Sequence, residues 1–188
     1  MAEDAKQHAR AMLDALGLDA EADPELGETP QRFVELLESM SEGLHADPPS
    51  MSTFDAGDSE AERPVVLTGL PFHSLCVHHL VPFFGTIDVA YLPDEKMTGF
   101  GSVGRVIDHY GAKPQLQERL VDDIADHIDE QLRPRGVLVR CRARQMCMEL
   151  TGAQKTGRMI SIASRGSLDD GPHRAELLST FRQETTDR

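Results

Sequence analysis

From residue 136 the chain reads GVLVRCRARQMCMEL, with apolar and polar residues alternating as they do along a half-buried strand. GRMISIASRG (157–166) resumes that alternation and is expected to be its hairpin partner. Two apolar runs, PVVLTGL (64–70) and FFGTIDVAYLP (83–93), carry the β-branched and aromatic residues of strands. The period changes in PQLQERLVDDIADHIDEQL (114–132). There Leu116, Leu120, Ile124, Ile128 and Leu132 recur every four residues, which predicts a helix opened by Pro114. GSVGRVIDHYG (101–111) and HRAELLSTFRQE (173–184) predict two more helices. Two others precede the strands. One spans 3–17, with Ala11, Met12, Leu13 and Leu16 toward its end and Gly17 as a stop. The other starts at Thr29-Pro30, a cap followed by proline, carries Phe33, Leu36, Leu37 and Met40, and ends near Gly43.

Residues 45–63, HADPPSMSTFDAGDSEAER, are rich in Pro, Ser, Asp and Gly and predict a linker. The expected organisation is a helical segment over 1–44, the linker, and an α+β domain over 64–188 with the order strand, strand, helices, strand, strand.

Charge narrows the partners. The 188-residue chain has a formal net charge of −13 and a pI near 4.9, which argues against general nucleic-acid binding. A small anionic ligand requires a local cluster of Arg and Lys. No apolar run reaches the roughly 18–20 residues of a membrane span, and no membrane partner is expected. The N-terminus MAEDAKQHARAMLDALG lacks the basic start and apolar stretch of a signal peptide, so a cytoplasmic protein is expected. The three cysteines, an odd number, point away from disulfides and toward metal ligation or plain burial.

LCVHH (75–79) sets Cys76 and His79 three residues apart, a spacing that suits two ligands of one metal. His78, between them, cannot readily join the same ion. If the strand from 136 runs unbroken, Cys141, Ala143, Gln145, Cys147 and Glu149 share one face, and Leu138, Arg140, Arg142, Arg144 and Met146 the other. Cys147 is then either a third ligand or a small buried hydrophobe flanked by Met146 and Met148. Two thiolates and an imidazole suit zinc and leave a fourth position open, the mark of a catalytic site. Cys141 is expected in the core.

LCVHHLVPFFG, PQLQERL, the Cys147 strand and ETPQR (28–32) together resemble the GTP cyclohydrolase I family, in matching order from about residue 3 to residue 182. The resemblance implies a tunnelling fold (T-fold), with antiparallel sheet and packed helices, assembled as a homodecamer with sites at subunit interfaces. It implies a zinc enzyme that hydrolyses GTP at C8 of the guanine, yielding formate and 7,8-dihydroneopterin triphosphate. Cys76, His79 and Cys147 match its zinc ligands, and Gln117 and Glu118 the residues that hold the base. A carboxylate suits that edge, where N1–H and the 2-amino group both donate. His78 is left to move protons, since imidazole titrates near working pH.

The departures from the family's pattern gather at the site. Gln145 stands where a second catalytic histidine is usual, and an amide neither gains nor loses a proton near neutral pH. Gly101-Ser102 replaces a serine-lysine pair, Thr151-Gly152 an arginine-glycine pair, and Gln154 a nearby arginine. Arg105 and Arg32 are retained, the latter reaching the triphosphate from a neighbouring subunit in the family, and Lys155 and Arg158 are at hand. Three readings follow: a GTP cyclohydrolase; a diverged paralogue acting on a less phosphorylated or modified guanine compound and stopping at the formamide; or a non-catalytic purine-binding member. The Cys76, His78, His79, Cys147 and Glu118 set argues against the last.

Overall fold

The computed structural model describes residues 2–57, 63–152 and 154–183. Residues 58–62 of the expected linker, and Glu184 at the expected end of the last helix, lie outside them.

Helices α1 (Ala2–Ala15) and α2 (Thr29–Ser39) form the N-terminal pair, joined through buried Ala9, Leu13 and Val34. Gly17, at φ 80°, stops α1 as expected, and the Leu18 N–H reaches back to the Leu13 carbonyl. Thr29 is the first residue of α2, not its cap; a single 3-10 turn at Glu42–Leu44 follows. The stretch expected to be a linker holds a strand, β1 (Thr53–Asp55), paired antiparallel with β4 (Lys96–Thr98). Met51 beside it is buried in the core.

A five-stranded sheet has the order β5-β2-β3-β6-β7, comprising β2 (Val65–Cys76), β3 (Pro82–Leu92), β5 (Pro114–Gln115), β6 (Gly136–Gln145) and β7 (Met159–Gly166). Every pairing is antiparallel except that of β5 with β2. At Gly85 of β3 the β6 backbone leaves no room for a side chain: a Cβ there would run into the Arg142 carbonyl.

Strand alternation sorts the sheet into two cores. Val137, Val139, Cys141 and Ala143 of β6, with Ile87 and Val89 of β3, face α3 (Phe100–Gly111) and α4 (Gln117–Leu132). The stripe Leu120, Ile124, Ile128, Leu132 meets them, each residue buried, at about 1.5–3 kcal/mol apiece. On the opposite face Ala90, Leu92 and Leu138 receive Leu177 and Phe181 of α6 (Gly171–Gln183).

Two expectations are corrected. Pro114 does not open the long helix; Pro114-Gln115 pairs beside Leu75-Cys76, and the helix begins at Gln117. The strand from 136 does not run to 150. Its alternation holds to Gln145, opposite Phe83, but β3 starts at Pro82 and the partner runs out. The chain turns there into the short helix α5 (Met146–Leu150), so Cys147 and Glu149 do not continue the strand face.

Candidate metal centre

Cys76 is the last residue of β2, buried beneath the sheet's edge. The turn after it is tight. The Leu80 N–H donates to the Cys76 carbonyl at 2.8 Å, and the Cys76 N–H to the Val81 carbonyl at 2.9 Å. Leu80 takes a left-handed φ of 52°, uncommon for a bulky residue, while its side chain is exposed. This backbone folds His79 back toward Cys76. The parallel strand β5 steadies the base of the turn, where the Val77 N–H donates to the Gln115 carbonyl at 3.2 Å.

Cys147 comes from the other side, on α5. Thr151 Oγ1 donates to the Cys147 carbonyl, and the Lys155 N–H to the Met148 carbonyl at 3.1 Å. Arg144 grips Glu149 through two bonds, Nε to Oε1 at 3.0 Å and Nη2 to Oε2 at 2.5 Å, tying α5 to the end of β6. That guanidinium holds the Glu149 carboxyl below the usual carboxylate range. Strand, turn and helix thus bring the Cys76 sulfur, a His79 ring nitrogen and the Cys147 sulfur within 4.8 Å of one another. It is the one such group of three among the described residues.

The donor set fits a metal ion. A tetrahedral zinc would hold such donors roughly 3.5–3.8 Å apart, and these three already lie within 4.8 Å of one another. Partial burial, with the Cys76 sulfur alongside, raises the Cys147 thiol above its ordinary range, so two thiolates here call for a cation between them. With Cys76 buried, Cys147 half-buried and His79 exposed, the cluster opens to solvent on one side. Cys141 is different: burial first, then Asp88, drives its thiol far upward, and it stays a protonated core residue as expected.

The other expected residues are placed as follows. His78 is exposed, its ring 6.3 Å from that of His79 and nearly perpendicular to it. Gln145 is buried; its Nε2 donates to Gln117 Oε1 at 2.7 Å, and its Oε1 lies 4.0 Å from the Cys147 sulfur. Gln117, also buried, turns its amide inward and donates to the carbonyls of Met159 and Cys141 at 3.2 and 3.4 Å. Glu118, in the first turn of α4, is exposed where the helix dipole favours a carboxylate. Ser102 is buried, its hydroxyl accepting from Arg105 Nη2 at 3.1 Å and the Ser52 N–H at 3.2 Å. Arg105 and Lys155 are exposed. Arg32 lies on α2 in an ion pair with Glu28 at 2.5 Å.

Sequence reasoning overlooked three supports of the site. Gln115 is buried beside Cys76 and donates to Ser74 Oγ at 3.2 Å and to the Tyr110 carbonyl. Its place inside PQLQERL was the available signal. Neither the left-handed Leu80 nor the Arg144–Glu149 fork left a mark in the local pattern.

Fold and site define an α+β protein whose Cys76, His79 and Cys147 form a thiol-imidazole cluster that could hold a metal ion, between the end of β2 and the helix that follows β6. Residues 5–182 match the family model described as GTP cyclohydrolase I, and the chain belongs to that family, whose tunnelling fold the antiparallel sheet and packed helices represent. The protein named GTP cyclohydrolase 1 of Streptococcus thermophilus (strain CNRZ 1066) is 40% identical over 184 residues, covering 96% of this chain and 97% of that one. That of Clostridioides difficile (strain 630) is 41% identical over 177 residues, 92% of this chain and 93% of that one. Among solved structures, the archaeosine synthase QueF-Like in the apo form matches 58% of this chain and 96% of its own, at 17% identity and a TM-score of 0.45.

Proposed function

We propose that this chain is a zinc-dependent hydrolase that opens the imidazole ring of a guanine nucleotide at C8, taking GTP to formate and 7,8-dihydroneopterin triphosphate. The observation that carries the proposal is the meeting of Cys76, His79 and Cys147 donors within 4.8 Å on a chain of this family. Zinc bound there would supply Lewis acidity, bringing the ionisation of water near neutral pH. Glu118 accepts from the two donors of the guanine edge; Gln117, expected beside it, has its amide engaged inside the chain. His78 passes a proton to the imidazole nitrogen released as the C8–N bond breaks. Arg105, Lys155 and Arg32 of a neighbouring copy face the phosphates, with Ser102 and Thr151 where the family's pattern has cations.

A homo-oligomer, decameric by family resemblance, suits this reading. Edge strand β7 exposes Ile160 and Ile162, at 55% and 41%, beside a strand edge with no partner among the described residues, which another copy can cover. No helix among the described residues is long and apolar enough to cross a membrane. Three free thiols, two of them offered to a metal, suit a reducing cytoplasm.

A second reading is favoured by Gln145, Thr151 and Gln154: a less phosphorylated or modified guanine compound, with the reaction stopping at the formamide. One experiment separates them. Zinc-loaded protein is incubated with GTP, GMP, guanosine and guanine while formate release and pterin fluorescence are followed. Formate and pterin from GTP alone uphold the first reading. Ring-opened formamide without formate upholds the second. A protein that binds zinc but converts none of the four sinks both.

A further inference from the structure

Gln145 occupies the position of an expected histidine, and its amide is not loose beside the cluster. We infer that Gln145 is a positioning residue. With Gln117 it forms a relay of two carboxamides that runs from the carbonyls of Cys141 and Met159 to Cys147 and fixes an acceptor oxygen against the Cys-His-Cys cluster. The inference rests on the metal-centre reading proposed above.

The direction of the relay is set at its far end. A carboxamide offers two donors on one side and an acceptor on the other, so its orientation must come from its partners. The carbonyls of Met159 and Cys141, at 3.2 and 3.4 Å, can only accept, so the Gln117 nitrogen must face them. Gln117 Oε1 then points at Gln145, which answers with its nitrogen at 2.7 Å. What remains of Gln145 is Oε1, 4.0 Å from the Cys147 sulfur. Turning either amide over would bring two acceptors face to face. Both residues are buried, Gln117 at 2% and Gln145 at 8% exposure, so water offers little relief.

Two consequences follow for the site. The end of the relay beside the metal position presents an oxygen that accepts and cannot give a proton, so it favours an N–H or O–H of whatever ligand lies there. An imidazole in the same place would also donate to Gln117, but its second nitrogen could gain or lose a proton. The relay further holds the Gln117 amide away from a ligand, leaving the guanine edge to Glu118.

Partners just outside a ligand set typically alter metal affinity by about 10- to 100-fold when removed. The test therefore measures zinc affinity by chelator competition, and the absorption of the cobalt-loaded full chain, for wild type, Gln117→Met, Gln145→Leu, the double variant and Gln145→His. Gln117→Met touches none of the three donors, yet it is expected to change zinc affinity by about 10-fold or more and to shift the thiolate-to-cobalt band. Gln145→Leu is expected to match it, and the double variant to differ little from either single one, because the relay acts as a unit. Gln145→His, which keeps a donor toward Gln117, is expected to stay within about threefold of wild type. If Gln117→Met fails to fold, Gln145→Asn, one methylene shorter, breaks the same link and carries the same expectation. A Gln117→Met protein with wild-type affinity and cobalt spectrum overturns the inference alone, as do single effects that simply multiply in the double variant. A wild-type chain that takes up no metal overturns the metal-centre reading and this inference with it.

Discussion

Asp88 on β3 and Arg140 on β6 stand opposite each other in the sheet register and form an ion pair of 2.6 Å, their side chains 3% and 6% exposed. Each has further partners. Asp88 Oδ1 accepts from the Gly69 N–H at 2.8 Å, and Arg140 Nη2 donates to the Phe181 carbonyl at 2.5 Å. The pair thus clamps a bulge in β2 and the helix α6 onto one face of the sheet. Removing one partner leaves a buried charge uncompensated, at a cost of about 3–5 kcal/mol. Asp88→Ala is expected to lose that much in urea unfolding, and Asp88→Leu with Arg140→Met to lose clearly less. A double variant as weak as the single would show that the pair's remaining contacts, and not the orphaned charge, carry the loss.

The three cysteines divide into two kinds. Cys76→Ser and Cys147→Ser are expected to abolish stoichiometric metal uptake, since each removes a soft donor from a set of three. Cys141→Ala removes one buried sulfur on the sheet's core face and is expected to keep its metal while losing about 1 kcal/mol of stability. Elemental analysis of the purified variants reads the difference. Metal retained by Cys147→Ser would remove the cluster as the metal site.

How much of this was legible follows from how far each pattern reaches. The stripe Leu120, Ile124, Ile128, Leu132 announced its helix because both the period and the buried face belong to one element. Cys76 and His79 were readable as a pair because they stand only three positions apart. The end of β6 was not, since MCMEL continues the alternation and only the start of β3 at Pro82 ends the ladder. Nor was the inward turn of Gln117, whose partner Gln145 is 28 positions away. Local periodicity predicts faces; it does not say which buried amide will meet which.

Acid should weaken the fold through the helix pair α3–α4. His127 is buried, its Nδ1 3.2 Å from the Tyr110 hydroxyl. Burial lowers its imidazole below the ordinary 6.5, against smaller upward effects of the Pro49 backbone and Glu130. His109, stacked edge-on to Tyr110, is lowered by burial, then by Lys113 and His127. A depressed imidazole keeps the folded state neutral, so the unfolded chain takes up the proton first. The contribution is whole above pH 6.5 and is lost as pH falls toward the folded values. Metal-free protein, in which His79 ligation plays no part, is expected to lose unfolding free energy as the pH falls below 6.5. His127→Phe should flatten that slope, whatever it costs in absolute stability. An unchanged slope would acquit His127.

The triphosphate is the part of the proposed substrate for which this chain is least equipped. Ser102 cannot be turned into a phosphate lysine without loss, because its buried hydroxyl already holds Arg105 and the Ser52 backbone. Thr151 is likewise engaged, on the Cys147 carbonyl. Gln154 is the free choice: it is exposed and already carries a side chain at φ 45°, so Gln154→Arg adds no new backbone strain. A charge-assisted contact to phosphate contributes about 1.5–3 kcal/mol, or about 10- to 100-fold in affinity. Gln154→Arg is therefore expected to lower the KM for GTP by up to that factor and to leave guanosine unchanged, with kcat steady for both. An equal gain for guanosine would place the new cation on the base or ribose. No change for either would place residue 154 outside the reach of the phosphates, and leave them to Arg105, Lys155 and Arg32 of a neighbouring copy.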